Sequence, residues 1–236
     1  MKNITLLALD TSTEACSVAL WHKGEKTYLD ELAQRTHTKR ILPMVDELLA
    51  NSGINLKQVD ALAFGRGPGS FTGVRVGAGI AQGLALGADL PVIAVSSLTA
   101  MAQAAFELHQ AENVAAAIDA RMNEVYFSQL KREKVRSELG EFFQWSPVIE
   151  EQVCQPEKVL EQFSDLTAYR VGTGWAAYSQ FKDSGLEGSD VILPSAQYML
   201  ELALTDYAQN KVISALEIEP VYLRNEVTWK KLPGRE

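Results

Sequence analysis

Cysteine is scarce in this 236-residue chain: Cys16 and Cys154 stand 138 positions apart, with neither the pairing of a disulfide framework nor a zinc-ligand spacing. A reducing, cytoplasmic setting is expected. Histidine is scarcer than its chemistry needs, because His22, His37 and His109 are the whole complement and no two stand four apart, which excludes a helical His-x-x-x-His metal pair. Positive charge is also short. With 22 Lys and Arg against 30 Asp and Glu, the net charge is −8, so no large basic footprint is expected and any nucleic acid would be held by a partner. Long apolar runs are missing too. Ile4 to Leu9 stops at Asp10, too soon for a secretory signal, and Val74 to Val95 is interrupted by Arg75, Asp89, Pro91 and several glycines, against a membrane span.

What the chain does have is 47% hydrophobic residues, enough for a sizeable core in two domains, and one concentrated glycine element. Ala61 to Gly87 reads as an apolar strand, a Gly-Pro-Gly loop and a helix. Glycines at 65, 67, 69 and 73 around Pro68, Ser70 and Thr72 suit a junction that offers amides to an anion. Named phosphate loops fail there. No lysine follows for a Walker loop, Gly73 comes one place late for a dinucleotide fingerprint, and Pro68 and Thr72 replace the glycines of a nucleophile elbow at Ser70. Ser70 is therefore read as structural. Beyond the loop, Gly73/Gly77 and Gly79/Gly83/Gly87 recur every four residues, each at a cost of about 1 kcal/mol of helix propensity. Two readings are open: tight packing of the helix on its own sheet, or close approach of a second helix from another chain.

In chain order, Ile4 to Asp10, Ala15 to Trp21 and Lys26 to Leu32 are predicted to open the protein as antiparallel strands, with Asp10-Thr11-Ser12 at the first turn. Thr38 to Ser52 reads as a helix with Ile41, Leu42, Val45, Leu48 and Leu49 along one face; its basic start includes Arg35. Ser96 or Ser97 caps a helix after the strand Pro91 to Val95. Asn113 to Ile118, the turn from Asp119 to Glu124 and the return from Val125 to Lys131 look like a diverged copy of the opening hairpin. Glu141 to Val153 reads as irregular, Ala168 to Val171 as a strand, and Ser195 to Gln209 as a final amphipathic helix. Gly172-Thr173-Gly174 either admits an adenosine or makes a turn.

The Asp10-Thr11-Ser12 turn, the loop GPGSFTGVR from Gly67 to Arg75, and DARMNEVY from Asp119 to Tyr126 closely resemble the TsaB (YeaZ) family over nearly the whole chain. The resemblance implies the α/β fold of actin, Hsp70 chaperones and sugar kinases: two related domains, each with a mixed five-stranded sheet. One would be 1–108 plus 195–220, the smaller 109–194, and 221–236 a tail. It also implies a non-catalytic subunit for threonylcarbamoyl transfer to adenosine 37 of ANN-decoding tRNAs. The larger paralogue TsaD would be the catalyst, and TsaE an ATPase partner. At the positions of TsaD's histidine pair this chain has Ser97 and Met101, and no catalytic or metal-binding residue is assigned. The TsaD-facing interface is expected at Thr38, Ile41, Leu42, Val45, Leu48, Leu49, Gly73, Gly77, Ile80, Gly83 and Leu84, a surface that would also serve a homodimer. Contact with tRNA would be indirect, with Lys230 and Lys231 of the tail as minor contributors.

No cofactor is assigned, but ATP or ADP stays open in a degenerate cleft of Asp10, Thr11, Ser12, Asp119, Gly172 and Gly174. The alternative from a different class is a free-standing ATPase or small-molecule kinase of the same fold, using Asp10 and Asp119 with magnesium. A peptidase lacks a nucleophile-base pair.

Overall fold

A computed structural model of the chain describes residues 4–33, 36–137 and 140–224. The first sheet has the order β3-β2-β1-β4-β5, built from β1 (Leu6–Asp10), β2 (Ala15–His22), β3 (Glu25–Leu32), β4 (Ala61–Gly67) and β5 (Val92–Ser96). β1 is antiparallel to β2 and parallel to β4. All five residues of β1 are buried because alternate side chains feed two separate cores. Leu7 and Leu9 meet Ile41, Met44, Val45 and Leu48 of α1 (His37–Asn51) and Ala78, Ala81 and Ala85 of α2 (Phe71–Ala88). Leu6 and Ala8, with Ala19, Ala61 and Ala63, form a face of mainly small residues that admits Met199, Leu200 and Ala203 of α7 (Ala196–Ala208). The last long helix thus packs back on the sheet that opened the chain.

The second sheet repeats the plan as β8-β7-β6-β9: β6 (Asn113–Arg121) is antiparallel to β7 (Glu124–Ser137) and parallel to β9 (Tyr169–Val171), and β8 (Gly140–Cys154) is the outer strand. Between the sheets lies α3 (Ser97–His109), whose Leu98, Met101, Ala102 and Ala105 pack on Val114, Ala116 and Ile118. The opposite face of β6 is closed by Phe127, Phe163, Trp175 and Phe181, aromatic rings in mutual edge or tilted contact. Phe163 follows α4 (Pro156–Gln162), while Trp175 and Phe181 lie on α5 (Gly174–Ala177) and α6 (Ser179–Asp183).

Two expectations need correction. Among the described residues the second sheet has four strands, not five: the segment 187–191 beyond β9 is joined to the 169–172 stretch by two backbone hydrogen bonds, Ser189 N to Arg170 O and Gly172 N to Val191 O, too few for a ladder. Glu141 to Val153 is not irregular. It lies in β8, paired with β7 through register shifts near Phe127, Gln129 and Leu130 that disrupt simple alternation.

Candidate functional site

A cleft of about 470 Å3 runs between the β1–β2 turn, the start of α2 and the β6–β7 turn. Its shape follows from one glycine device used twice. On the first sheet, Ser70 caps α2 by accepting from Gly73 N at 3.0 Å, and Ser70 N donates to Ser12 O at 2.7 Å. A methyl group at Gly69 would overlap the Ser12 carbonyl, and one at Gly73 would overlap the Thr11 carbonyl; at Gly77 it would stand 2.9 Å from Thr11 Oγ1. Thr11 Oγ1 in turn donates to Gly73 O at 2.7 Å. The amides of Ser70 and Gly73 are therefore committed to the Asp10–Ser12 turn and to the helix cap.

Asp10 is fully buried, and its carboxylate lies where a side chain at Gly65 would be. Burial is the main cause that pushes its carboxyl up to about 7, against partial relief from Ser12, whose Oγ and N donate at 3.1 and 3.3 Å. Ser12 Oγ also accepts from Ser97 Oγ at 2.9 Å. Ser97 and Met101 are both fully buried, the latter in the core against the second sheet. Asp10 and Thr11 thus sit behind the cleft wall, and only Ser12 of that triplet lines it.

On the second sheet Asp119 does line the cleft. It accepts from Tyr178 OH at 2.7 Å and Arg121 N at 2.9 Å, and pairs with the Arg121 guanidinium at 3.1 Å. Burial, then the bond to Asp119, pushes the Tyr178 hydroxyl up to about 12. Arg121, Met122 and Asn123 all have positive φ, at 62°, 54° and 58°, a tight turn that puts Met122 at the surface. Arg121 reaches toward Glu14 on the facing turn at 3.9 Å. Arg224 donates to Ala120 O at 3.1 Å and pairs with Glu124, while Val221 N donates to Arg66 O at 3.0 Å, so the C-terminal segment ties the cleft's two sides. A second tie is Glu151 on β8, bonded to Ser96 and, at 3.0 Å, to Arg66.

Gly172 and Gly174 turn away from the cleft. Side chains there would collide with Ala117 of β6, and Gly172 has φ of 100°, so the pair makes a close-packed turn. Thr173 lines the cleft in their place and accepts from Asp119 N at 3.0 Å. Thr173, Tyr178, Arg121 and Arg224 were not named as site residues by sequence reasoning. Arg121, within the Asp119 turn, and Thr173, between the two glycines, carried a local signal; Tyr178 and Arg224 carried none.

The two helices expected at an interface divide sharply. Ile41 and Leu48 are buried in the chain's own core, as are Gly73 and Gly77 against the turn, so the expectation that these meet a partner is corrected; Val45 and Leu49 pack in that core too but line the groove beside α1. Thr38, Leu42 and Gly83 are exposed, and Ile80 and Leu84 are half-buried. Leu42 and Leu84 flank a groove of about 360 Å3 between α1 and the 54–56 segment. Added methyl groups at Gly79, Gly83 and Gly87 would meet nothing within 4 Å. Arg35, Trp229, Lys230 and Lys231 lie outside the described residues. Among the described residues no helix is long and apolar enough to cross a membrane, and no cluster of three or more His, Cys, Asp or Glu is placed to hold a metal.

Two sheets of repeated strand order, each with an aspartate near the end of its first strand, define a duplicated α/β protein of the actin-like class. The family model of TsaD, described as tRNA N6-adenosine threonylcarbamoyltransferase, matches residues 26–225. The "tRNA threonylcarbamoyladenosine biosynthesis protein TsaB" of Haemophilus influenzae is 77% identical over 236 residues, all of both chains. Its Escherichia coli K12 namesake is 51% identical, over 98% of this chain and 99% of its own. Among solved structures, "YeaZ from Pseudomonas aeruginosa" superposes with a TM-score of 0.82 at 42% identity, over 93% of this chain and 100% of that one. The chain belongs to the TsaB family.

Proposed function

We propose that this chain serves tRNA threonylcarbamoyladenosine biosynthesis as a non-catalytic cytoplasmic subunit that docks on TsaD, with TsaE as a further partner. The named relatives support the pathway. The observation that carries the docking role is the stripe Gly79, Gly83 and Gly87 on α2, which faces open space beside exposed Leu86 and near half-buried Ile80 and Leu84. Gly79 and Gly83, in the helix interior, cost on the order of 2 kcal/mol relative to alanine, and among the described residues nothing lies within contact of the missing side chains of all three. A partner helix laid against the stripe would use them, because glycine lets backbones approach closely. Leu42, at 44% exposure, and Thr38 extend this face onto α1, and the same surface would serve a homodimer in the absence of TsaD.

The cleft supports the non-catalytic reading by its chemistry. Asp10 is fully buried behind the cleft wall, so the first turn does not present its carboxylate to a hydrated metal in the cleft. The two halves would correspond to 1–108 plus 195–220 and to 109–194, with α7 returning to the first. Light-scattering chromatography of this chain, alone and mixed with TsaD, tests the proposal. A one-to-one complex that displaces any homodimer is expected. An unchanged elution of both proteins would overturn it, and magnesium-dependent ATP turnover by the chain alone would favour the kinase alternative.

A further inference from the structure

Away from the cleft and the helical face, a second cavity of about 370 Å3 lies between α7, α3 and the β7–β8 hairpin. The Arg132 guanidinium lines it with only 7% of the side chain exposed. Phe106 and Phe143 cover it, with ring centroids 3.6 and 3.7 Å from Cζ. Neighbouring polar groups satisfy one another: Lys26 pairs with Glu107 at 2.8 Å, and Gln103 donates to Glu201 at 3.0 Å while accepting from Trp145 Nε1 at 2.9 Å. Arg132 is different. Among the described residues its Nε has no hydrogen-bond acceptor; Glu112 stands 3.9 Å from Nη1, and Glu201 on the cavity wall acts on the guanidinium through its charge. Trp21, on the same cavity wall, likewise has a buried indole N–H without an acceptor.

A buried guanidinium without a matched acceptor is costly, and burial lowers the Arg132 pKa. With aromatic rings on the guanidinium, the remaining mode of recognition is edge-on, the geometry that suits a planar carboxylate. Glu107, Glu141 and Glu201 around the cavity disfavour a multiply charged phosphate, whereas Phe142, Leu200 and Leu204 offer an apolar wall. We propose that this cavity binds a small organic monocarboxylate, its carboxylate edge-on to Arg132 and its apolar body against Trp21, Phe142, Leu200 and Leu204.

The test is a titration of the full 15N-labelled chain with phenylacetate, read at the Trp21 indole resonance, which is assigned by its loss in Trp21→Phe. A saturable shift below about 10 mM is expected, with at least about tenfold weaker binding of the isosteric phenylacetamide. Arg132→Met should weaken phenylacetate by a similar factor, while the Trp175 indole, bonded to Ala115 O and Val171 O in the other core, keeps its position as the check on folding. Should Arg132→Met fail to fold, the comparison of carboxylate with amide on the unaltered chain decides. No saturable shift, or equal affinity for acid and amide, would overturn the proposal and leave the cavity to solvent.

Discussion

At the start of α2, Gly73 and Gly77 lie under the Asp10–Ser12 turn with no room for a methyl group; farther along the same helix, Gly79, Gly83 and Gly87 face open space. The first pair is glycine because the chain folds onto itself there. Among the described residues the three that follow have no such reason, and the partner approach proposed above would supply one. The same contrast separates the two aspartate turns: Asp10 is sealed beneath the loop that Gly65 and Gly69 let close over it, while Asp119 borders the cleft with an exposed Arg121 as its partner.

The largest expected effect probes the sealed side. Asp10 titrates at about 7 in the folded protein against an ordinary value of 3.8, so between those values the folded state holds more protons than the unfolded one. Its contribution is therefore full below about pH 4 and falls as pH rises toward 7, by about 4 kcal/mol across the window. Asp10→Asn should flatten most of that slope in urea unfolding followed from pH 4 to 8, leaving a smaller fall from Asp30 and Asp206, which burial also pushes up. An unchanged slope would mean that Asp10 is hydrated and the turn is open.

Gly172→Ala should cost about 3 kcal/mol, since it combines overlap with the Ala117 carbonyl and a φ that alanine disfavours. Gly73→Ala, with overlap alone, should cost about 2 kcal/mol, read as a lowered urea midpoint at constant m-value. Smallest and opposite in sign, Gly83→Ala should stabilise the isolated chain by about 0.8 kcal/mol. If Gly73→Ala and Gly83→Ala shifted stability alike, the division of α2 would collapse.

Much of the fold was legible because its signals were local. The short continuous apolar runs at β1 and β2, the Ser96 cap, and the repeated hairpin at Asp119 all carry their reasons within a few residues. The amphipathic stripe of α1 was legible as a stripe, but periodicity does not say whether its cover is a sheet or a partner; Ile41, Val45, Leu48 and Leu49 went inward and Leu42 outward. The glycine spacing had the same ambiguity. β8 escaped because its pairing shifts register along β7, and the cleft's Thr173, Tyr178 and Arg224 come from distant segments that only the fold brings together. Arg132 belongs to that group, since Phe106 and Phe143 reach it from α3 and β8.

The most direct test is light-scattering chromatography of Gly83→Leu, beside Gly83→Ala and the unaltered chain, each mixed with TsaD. Gly83→Leu should stay folded as an isolated chain, because the position opens to solvent, yet fail to form the one-to-one complex that the unaltered chain forms. A Gly83→Leu variant that bound TsaD as tightly as the unaltered chain would contradict the account, and the glycine face of α2 would not be where the subunits meet.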